Sequence, residues 1–209
     1  MKDADSARSH GSVSPSAPPD APIDSEALFK MYARFVASFL FRLGARGADL
    51  DDAVQDVFLA AHRKGGYRPG AASPTTFLAQ LALEANLKRR RGDGRRQTAR
   101  SDQAALATIG AAPPDPSQAL ATKEAATRLQ GALDAMDAGH RAVFILFELE
   151  GESCDAIAAG LGLPTGTVYS RLHAARRVFR ESAARAERGD ERAPPRSIRG
   201  VFMGVKEPA

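Results

Sequence analysis

From Ser25 onward the chain places its large apolar residues at helical rather than alternating spacing. Leu28, Tyr32, Phe35, Val36, Phe39, Leu40 and Leu43 share one side of a repeat of about 3.6 residues, which predicts an amphipathic helix ended by Gly44 and Gly47. A second helix opens near Asp49, with Leu50, Ala53, Val54, Val57 and Ala61 as its apolar stripe, and Gly65-Gly66 stops it. Tyr67 to Pro74 holds two prolines and a glycine and reads as a loop. A third helix runs from about Thr75 to Arg91, burying Phe77, Leu78, Leu81, Ala82 and Ala85.

Periodicity then fails. Gln97 to Ser117 is Ala, Gly, Pro and Asp with few large apolar residues, and Ala112-Pro113-Pro114-Asp115-Pro116 cannot lie inside a helix, so this stretch predicts an interdomain linker. A second block begins near Gln118. Leu129, Leu133 and Met136 mark one helix, Val143 to Leu149 the next, Ser153 to Ala159 a short one, and Thr165 to Arg185 the last, with Val168, Leu172, Ala175 and Phe179 on one side. No stretch alternates like a strand. The expected fold is all-α: two small helical domains, residues 24–96 and 118–186, joined by a flexible linker at 97–117 and flanked by tails at 1–23 and 187–209. The Ser/Pro/Ala/Asp-rich first tail is expected to stay disordered.

Composition narrows the function classes. Across 209 residues the formal net charge is +4, a mild basic excess that suits an anionic partner without requiring one. Cys154 is the lone cysteine and the four histidines are scattered, which argues against a disulfide framework or a cysteine/histidine zinc site; no metal or cofactor is expected. No run approaches the roughly 20 apolar residues needed to span a bilayer, so no membrane insertion is expected. There is no nucleophile–base pairing and no phosphate-cradling Gly-Lys-Ser/Thr loop, so the chain does not read as an enzyme. A reducing cytoplasm fits this cysteine usage.

Ser153 to Phe179 is the most informative segment. Ser153 is placed to cap a short helix with Ile157 and Ala158 inward, Gly160-Leu161-Gly162 allows a sharp corner, Leu163 plugs the angle, and Thr165 is placed to cap a longer helix. That is the outline of a DNA-binding helix-turn-helix, whose second helix enters the major groove N-terminus first. Thr165, Thr167, Tyr169, Ser170 and Arg171 stand at its start; Arg171, His173, Arg176 and Arg177 put charge opposite the apolar side. An ordinary amphipathic helix with a solvated arginine face would show the same charge, but not the short helix and glycine corner before it.

On the second helix, Asp49, Asp51 and Asp52 are explained by capping and the helix dipole. Leu59 is not: at about 100° per residue it falls opposite Leu50 and Val57, beside Asp52, Gln55 and Asp56, as a protein-docking patch would. Asp51, Asp52 and Asp56 also resemble a magnesium-binding carboxylate cluster, which would need a second, facing cluster that the chain lacks. Lys88, Arg89, Arg90 and Arg91 extend the third helix as a positive run, read either as a solvated face or as a surface for a polyanion.

Together these segments resemble the extracytoplasmic-function group of the sigma-70 family of RNA polymerase sigma factors. Asp49-Leu50-Asp51-Asp52-Ala53-Val54-Gln55-Asp56-Val57-Phe58 is similar to that family's polymerase-binding helix, Thr76-Phe77-Leu78-Ala79-Gln80-Leu81-Ala82 to the motif opening its minus-ten helix, and Leu163 to Arg176 to its region 4. The resemblance implies that Asp52, Gln55, Asp56 and Leu59 touch core RNA polymerase. It assigns capture of the melted minus-ten strand of promoter DNA to the loop at Gly65–Pro74 and the helix after it. It assigns the minus-thirty-five element to the helix from Thr165. Members are often held by an anti-sigma factor, and the resemblance carries that expectation here. Phe77 stands where the family usually has Trp, and Glu84 where it usually has Asn; an acid facing DNA would repel phosphate. A stand-alone helix-turn-helix regulator is the other reading, and it would bind duplex DNA without polymerase.

Overall fold

The computed structural model describes residues 21–93 and 116–187. Among these residues the regular elements are all helical, and strand pairing is limited to one bridge between Ile23 and Tyr67. Helix α1, Ser25–Arg42, starts where the Asp24 carboxylate accepts the Ala27 N–H at 2.8 Å, and it buries Leu28, Val36, Phe39 and Leu40. Helix α2, Gly47–Arg63, starts two residues before the expected Asp49. Asp49 therefore lies inside the first turn, where the helix dipole rather than a capping bond favours its charge. Helix α3, Pro74–Asp93, opens on proline, whose missing N–H costs nothing at a first position, and the Ser73 hydroxyl caps it by accepting the Thr76 N–H at 3.1 Å.

The loop between α2 and α3 is pinned to the chain entering α1. Ile23 and Tyr67 exchange backbone hydrogen bonds of 2.9 and 2.8 Å, and the Tyr67 hydroxyl donates to the Ala72 carbonyl at 2.8 Å. Gly66 permits this approach: it sits at φ +83°, and a Cβ there would fall 2.3 Å from the Ile23 carbonyl oxygen. Ile23, assigned to the leading tail on composition, is thereby tied to the first helical unit.

The second unit comprises α4 (Pro116–Asp134), α5 (Ala138–Phe144), a π-helical turn (Ile145–Leu149), α6 (Cys154–Leu161) and α7 (Thr165–Glu187). The region expected as linker overlaps α4 at Pro116 and Ser117; the rest of it, the two tails as far as residue 20 and from 188, and the Arg91 side chain lie outside the described residues. The helix expected through Leu149 widens at its end, where the Glu150 N–H bonds to Ile145 five residues back at 3.1 Å.

Asp137 caps α5, accepting from the Gly139 and His140 N–H groups at 2.9 and 3.0 Å and contacting the His140 ring. Burial pushes its carboxyl upward, but the His140 side chain and the two backbone donors outweigh that and hold it below its ordinary 3.8. A lowered folded value means a contribution present above the unfolded value and lost as pH falls through the folded one. Asp137→Ala is expected to cost about 1 kcal/mol near neutral pH. The difference from the parent should shrink below about pH 4, as read by denaturant unfolding at the two pH values.

The two units are packed together. Helix α3 lies against α1 and α2 and also against α6 and α5, and the buried apolar side chains of both units form one continuous cluster. Polar contacts cross the seam: Arg42 pairs with Glu150 at 2.9 Å, and the Ser73 hydroxyl donates to Glu152 at 2.7 Å. Three donors converge on the end of α1, whose last carbonyls have no partner within the helix. Arg141 and Gln130 reach the Arg42 carbonyl at 3.2 and 3.4 Å, and Arg90 reaches that of Leu43 at 3.0 Å. Arg141 is 3% exposed and also donates to Asp134 at 2.9 Å and to the Met136 carbonyl at 3.0 Å. Burial pushes its guanidinium below the ordinary value, against the pull of Asp134.

Candidate nucleic-acid and protein interfaces

Helices α6 and α7 form the corner that the sequence suggested, with different parts in two places. Ser153 caps α6 as expected, its hydroxyl accepting the Ala156 N–H at 3.1 Å. The turn itself is made by Gly162 alone, at φ +64°, and the N–H groups of Gly162 and Leu163 both return to the Ala158 carbonyl. Gly160 is not part of the corner; it lies inside α6 against Thr76 of α3. Thr165 does not cap α7 either. Pro164 precedes the helix and its carbonyl accepts from Thr167 and Val168, while the Thr165 hydroxyl reaches Asp155 at 3.4 Å.

Helix α7 is sharply two-sided. Val168, Leu172, Ala175 and Val178 are buried and Phe179 stacks on Phe144, whereas Tyr169 is 60% exposed and Ser170, His173, Arg176 and Arg177 are exposed with it. Thr165, Thr167 and Arg171 are half-buried. The structure thus brings the eight helix-turn-helix candidates onto one element but gives them different freedom. Tyr169, His173 and Arg177 face outward, Arg177 only 3.9 Å from Glu181. Ser170 bonds back to the Thr167 carbonyl at 3.0 Å. Arg171 lies against Gly139 of α5. Arg176 pairs with Glu148 at 2.6 Å over the Phe147 ring, so it braces the π turn as well as carrying charge.

On α2, Asp52, Gln55 and Asp56 are exposed and Leu59 is 51% exposed, an apolar residue in a polar surround as its angular position predicted. Phe29 of α1 is 51% exposed and sits edge-on to Phe58. The basic end of α3 is divided. Lys88 is exposed, Arg90 spans to the end of α1, and Arg89 reaches Asp49, Asp52 and Asp56 at 3.4, 3.4 and 3.7 Å. The acids that resembled a metal cluster therefore share a guanidinium instead, with Asp51 left out of the group. Asp49, Asp52 and Asp56 fall at i, i+3 and i+7, a stripe visible in the sequence; the arginine that meets it is forty residues away along the chain. Glu84 is exposed and accepts from Gln80 at 3.2 Å.

Comparison with known proteins agrees with this two-part arrangement. Residues 28–96 match sigma-70 region 2 and residues 126–178 match sigma-70 region 4. The RNA polymerase sigma factor CarQ of Myxococcus xanthus is 32% identical over 160 residues, covering 75% of this chain and 87% of CarQ. The ECF RNA polymerase sigma factor SigE of Mycolicibacterium smegmatis is 30% identical over 161 residues, 77% of this chain but 62% of SigE. Among solved structures, the fold is similar to Bartonella quintana RpoE, crystallised in complex with the anti-sigma factor NepR. That match has a TM-score of 0.56 and 20% identity, covering 76% of this chain and 96% of RpoE. It is also similar to CnrH in complex with the cytosolic domain of CnrY, with a TM-score of 0.52 and 22% identity, covering 77% and 90%. The chain belongs to the sigma-70 family of RNA polymerase sigma factors. Within that family its place is the extracytoplasmic-function group.

Proposed function

We propose that this chain docks on core RNA polymerase through α2 and directs initiation at promoters carrying matched minus-ten and minus-thirty-five elements. The observation that carries this reading is the pairing, on one chain of this family, of an exposed acid-and-leucine face on α2 with an outward polar and cationic face on α7. The α7 face supplies phosphate and base-edge contacts, with Tyr169, His173 and Arg177 as its most accessible side chains. A stand-alone regulator would have no use for a region 2 unit, and that reading is not favoured. No catalytic step is assigned to the chain: bond-making belongs to the polymerase. The protein acts where polymerase and DNA are, in the cytoplasm; among the described residues no helix is long and apolar enough to cross a membrane. An anti-sigma factor is the expected antagonist, as NepR and CnrY are partners of the two structural neighbours.

The test is in vitro transcription with purified core polymerase on a promoter library. The chain should start RNA from a defined promoter subset that core alone ignores; identical transcripts with and without it would reject the reading. Tyr169→Ala with Arg177→Ala should lower promoter binding by about tenfold or more and flatten its salt dependence. Thermal stability should be nearly unchanged, because both side chains are exposed.

A further inference from the structure

Arg89 belongs to the basic end of α3, yet its guanidinium reaches the acidic face of α2. It donates to the Asp49 backbone carbonyl at 3.0 Å and to the Asp49 carboxylate at 3.4 Å. Its contacts with Asp52 and Asp56, at 3.4 and 3.7 Å, are ion pairs rather than hydrogen bonds. The side chains of those two acids stay 64% and 58% exposed, while that of Arg89 is only 25% exposed. Arg89 therefore offsets the charge of the α2 face and leaves the oxygens of Asp52 and Asp56 free to take hydrogen bonds from a partner. Its neighbours on α3 behave differently: Lys88 is exposed, and Arg90 bonds to the neutral Leu43 carbonyl. The four acids that α2 exposes, Asp49, Asp51, Asp52 and Asp56, call for cationic groups on whatever docks there. A cation arriving at Asp52 or Asp56 meets Arg89 as a like charge a few ångströms away. A phosphate arriving at the end of α3 meets an Arg89 whose charge three carboxylates already offset.

We propose that Arg89 is a positioning residue shared by the two surfaces: an internal counter-ion of α2 that competes with the cations of polymerase for Asp52 and Asp56 and turns its charge to nucleic-acid phosphate as those cations take its place. The proposal rests on the reading above for the roles of α2 and α3. The two effects are one interaction seen from either side. Cations on the carboxylates leave Arg89 with fewer counter-ions, and a phosphate on Arg89 leaves the carboxylates unneutralised, so each ligand favours the other by the same factor. The pairs are solvated, which keeps that factor small and leaves the fold little dependent on it.

Two measurements on the full chain test this, with circular dichroism confirming that each variant keeps its helix content. The first needs no polymerase. Anisotropy with a short random-sequence single-stranded DNA at low salt, where charge effects are least screened, compares the parent, Arg89→Gln, the pair Asp52→Asn with Asp56→Asn, and all three changes together. Neutralising the two acids raises DNA affinity in either background, because it removes negative charge. With Arg89 present the gain should be about threefold larger than in the Arg89→Gln background, since the freed guanidinium adds its own contact. Strictly additive effects would overturn the proposal. The second measurement is surface plasmon resonance with core polymerase at several salt concentrations. Arg89→Gln should bind core about threefold more tightly and with a steeper salt dependence, and Arg89→Lys, which keeps the charge, should stay near the parent. Unchanged or weaker binding of Arg89→Gln would also overturn it, because a purely structural brace can only lose affinity when removed. Should Arg89→Gln not fold, Arg89→Met keeps the apolar stem and takes its place. If core does not bind the parent at all, the docking reading falls while the DNA cycle still decides the pairing of Arg89; core binding with an additive cycle does the reverse.

Discussion

Replacing Arg141 by methionine is expected to destabilise the protein by about 2–4 kcal/mol. The side chain is almost fully buried and serves Asp134 and two backbone carbonyls, Met136 within its own unit and Arg42 across the seam. Methionine keeps most of the volume, so the loss reports chiefly on acceptors left without donors. Asp134 is half exposed and regains water, which holds the cost below that of orphaning a fully buried charge. Equilibrium urea unfolding measures the difference. A change under about 0.5 kcal/mol would show that water replaces the guanidinium freely.

Leu59→Asp is expected to reduce binding to core polymerase by about thirtyfold, equivalent to losing an interface anchor of about 2 kcal/mol. The native leucine is half exposed among Asp52, Gln55 and Asp56, so folding gains little from it and a partner would gain more. Aspartate removes the apolar contact and adds a like charge to an acidic face. Melting temperature should stay within a degree or two, since exposed substitutions seldom exceed about 0.5 kcal/mol. Binding by surface plasmon resonance checks the first part and differential scanning calorimetry the second; unchanged affinity would move the docking face elsewhere.

Arg89 links two surfaces that the sequence kept separate. Its guanidinium, part of a run read as nucleic-acid contacting, is gathered by three carboxylates on the helix read as polymerase contacting. Exposed pairs of this kind contribute little to stability, but they hold the side chain's position. On the described part of α3, Lys88 projects outward, Arg89 is held by carboxylates of α2, and Arg90 is exposed while it donates to the Leu43 carbonyl, a bond that leaves its charge intact.

The helices, their inward faces and the Ser153 cap were legible in the chain itself, because each depends on residues within a turn or two of one another. Leu28 to Leu40 on α1, Val168 to Ala175 on α7 and the outward Leu59 all follow from angular position alone. The resemblance to sigma factors was equally local, carried by short runs. Tertiary structure decided what depended on residues far apart in sequence. That Gly160 serves a helix contact rather than a corner, that Arg141 spans to the end of α1, and that Glu152 sits on Ser73 are pairings across 79 to 99 residues. Periodicity records which side of a helix is apolar; it does not record which helix will cover it, and the burial of Thr76 against α6 is set by that second choice.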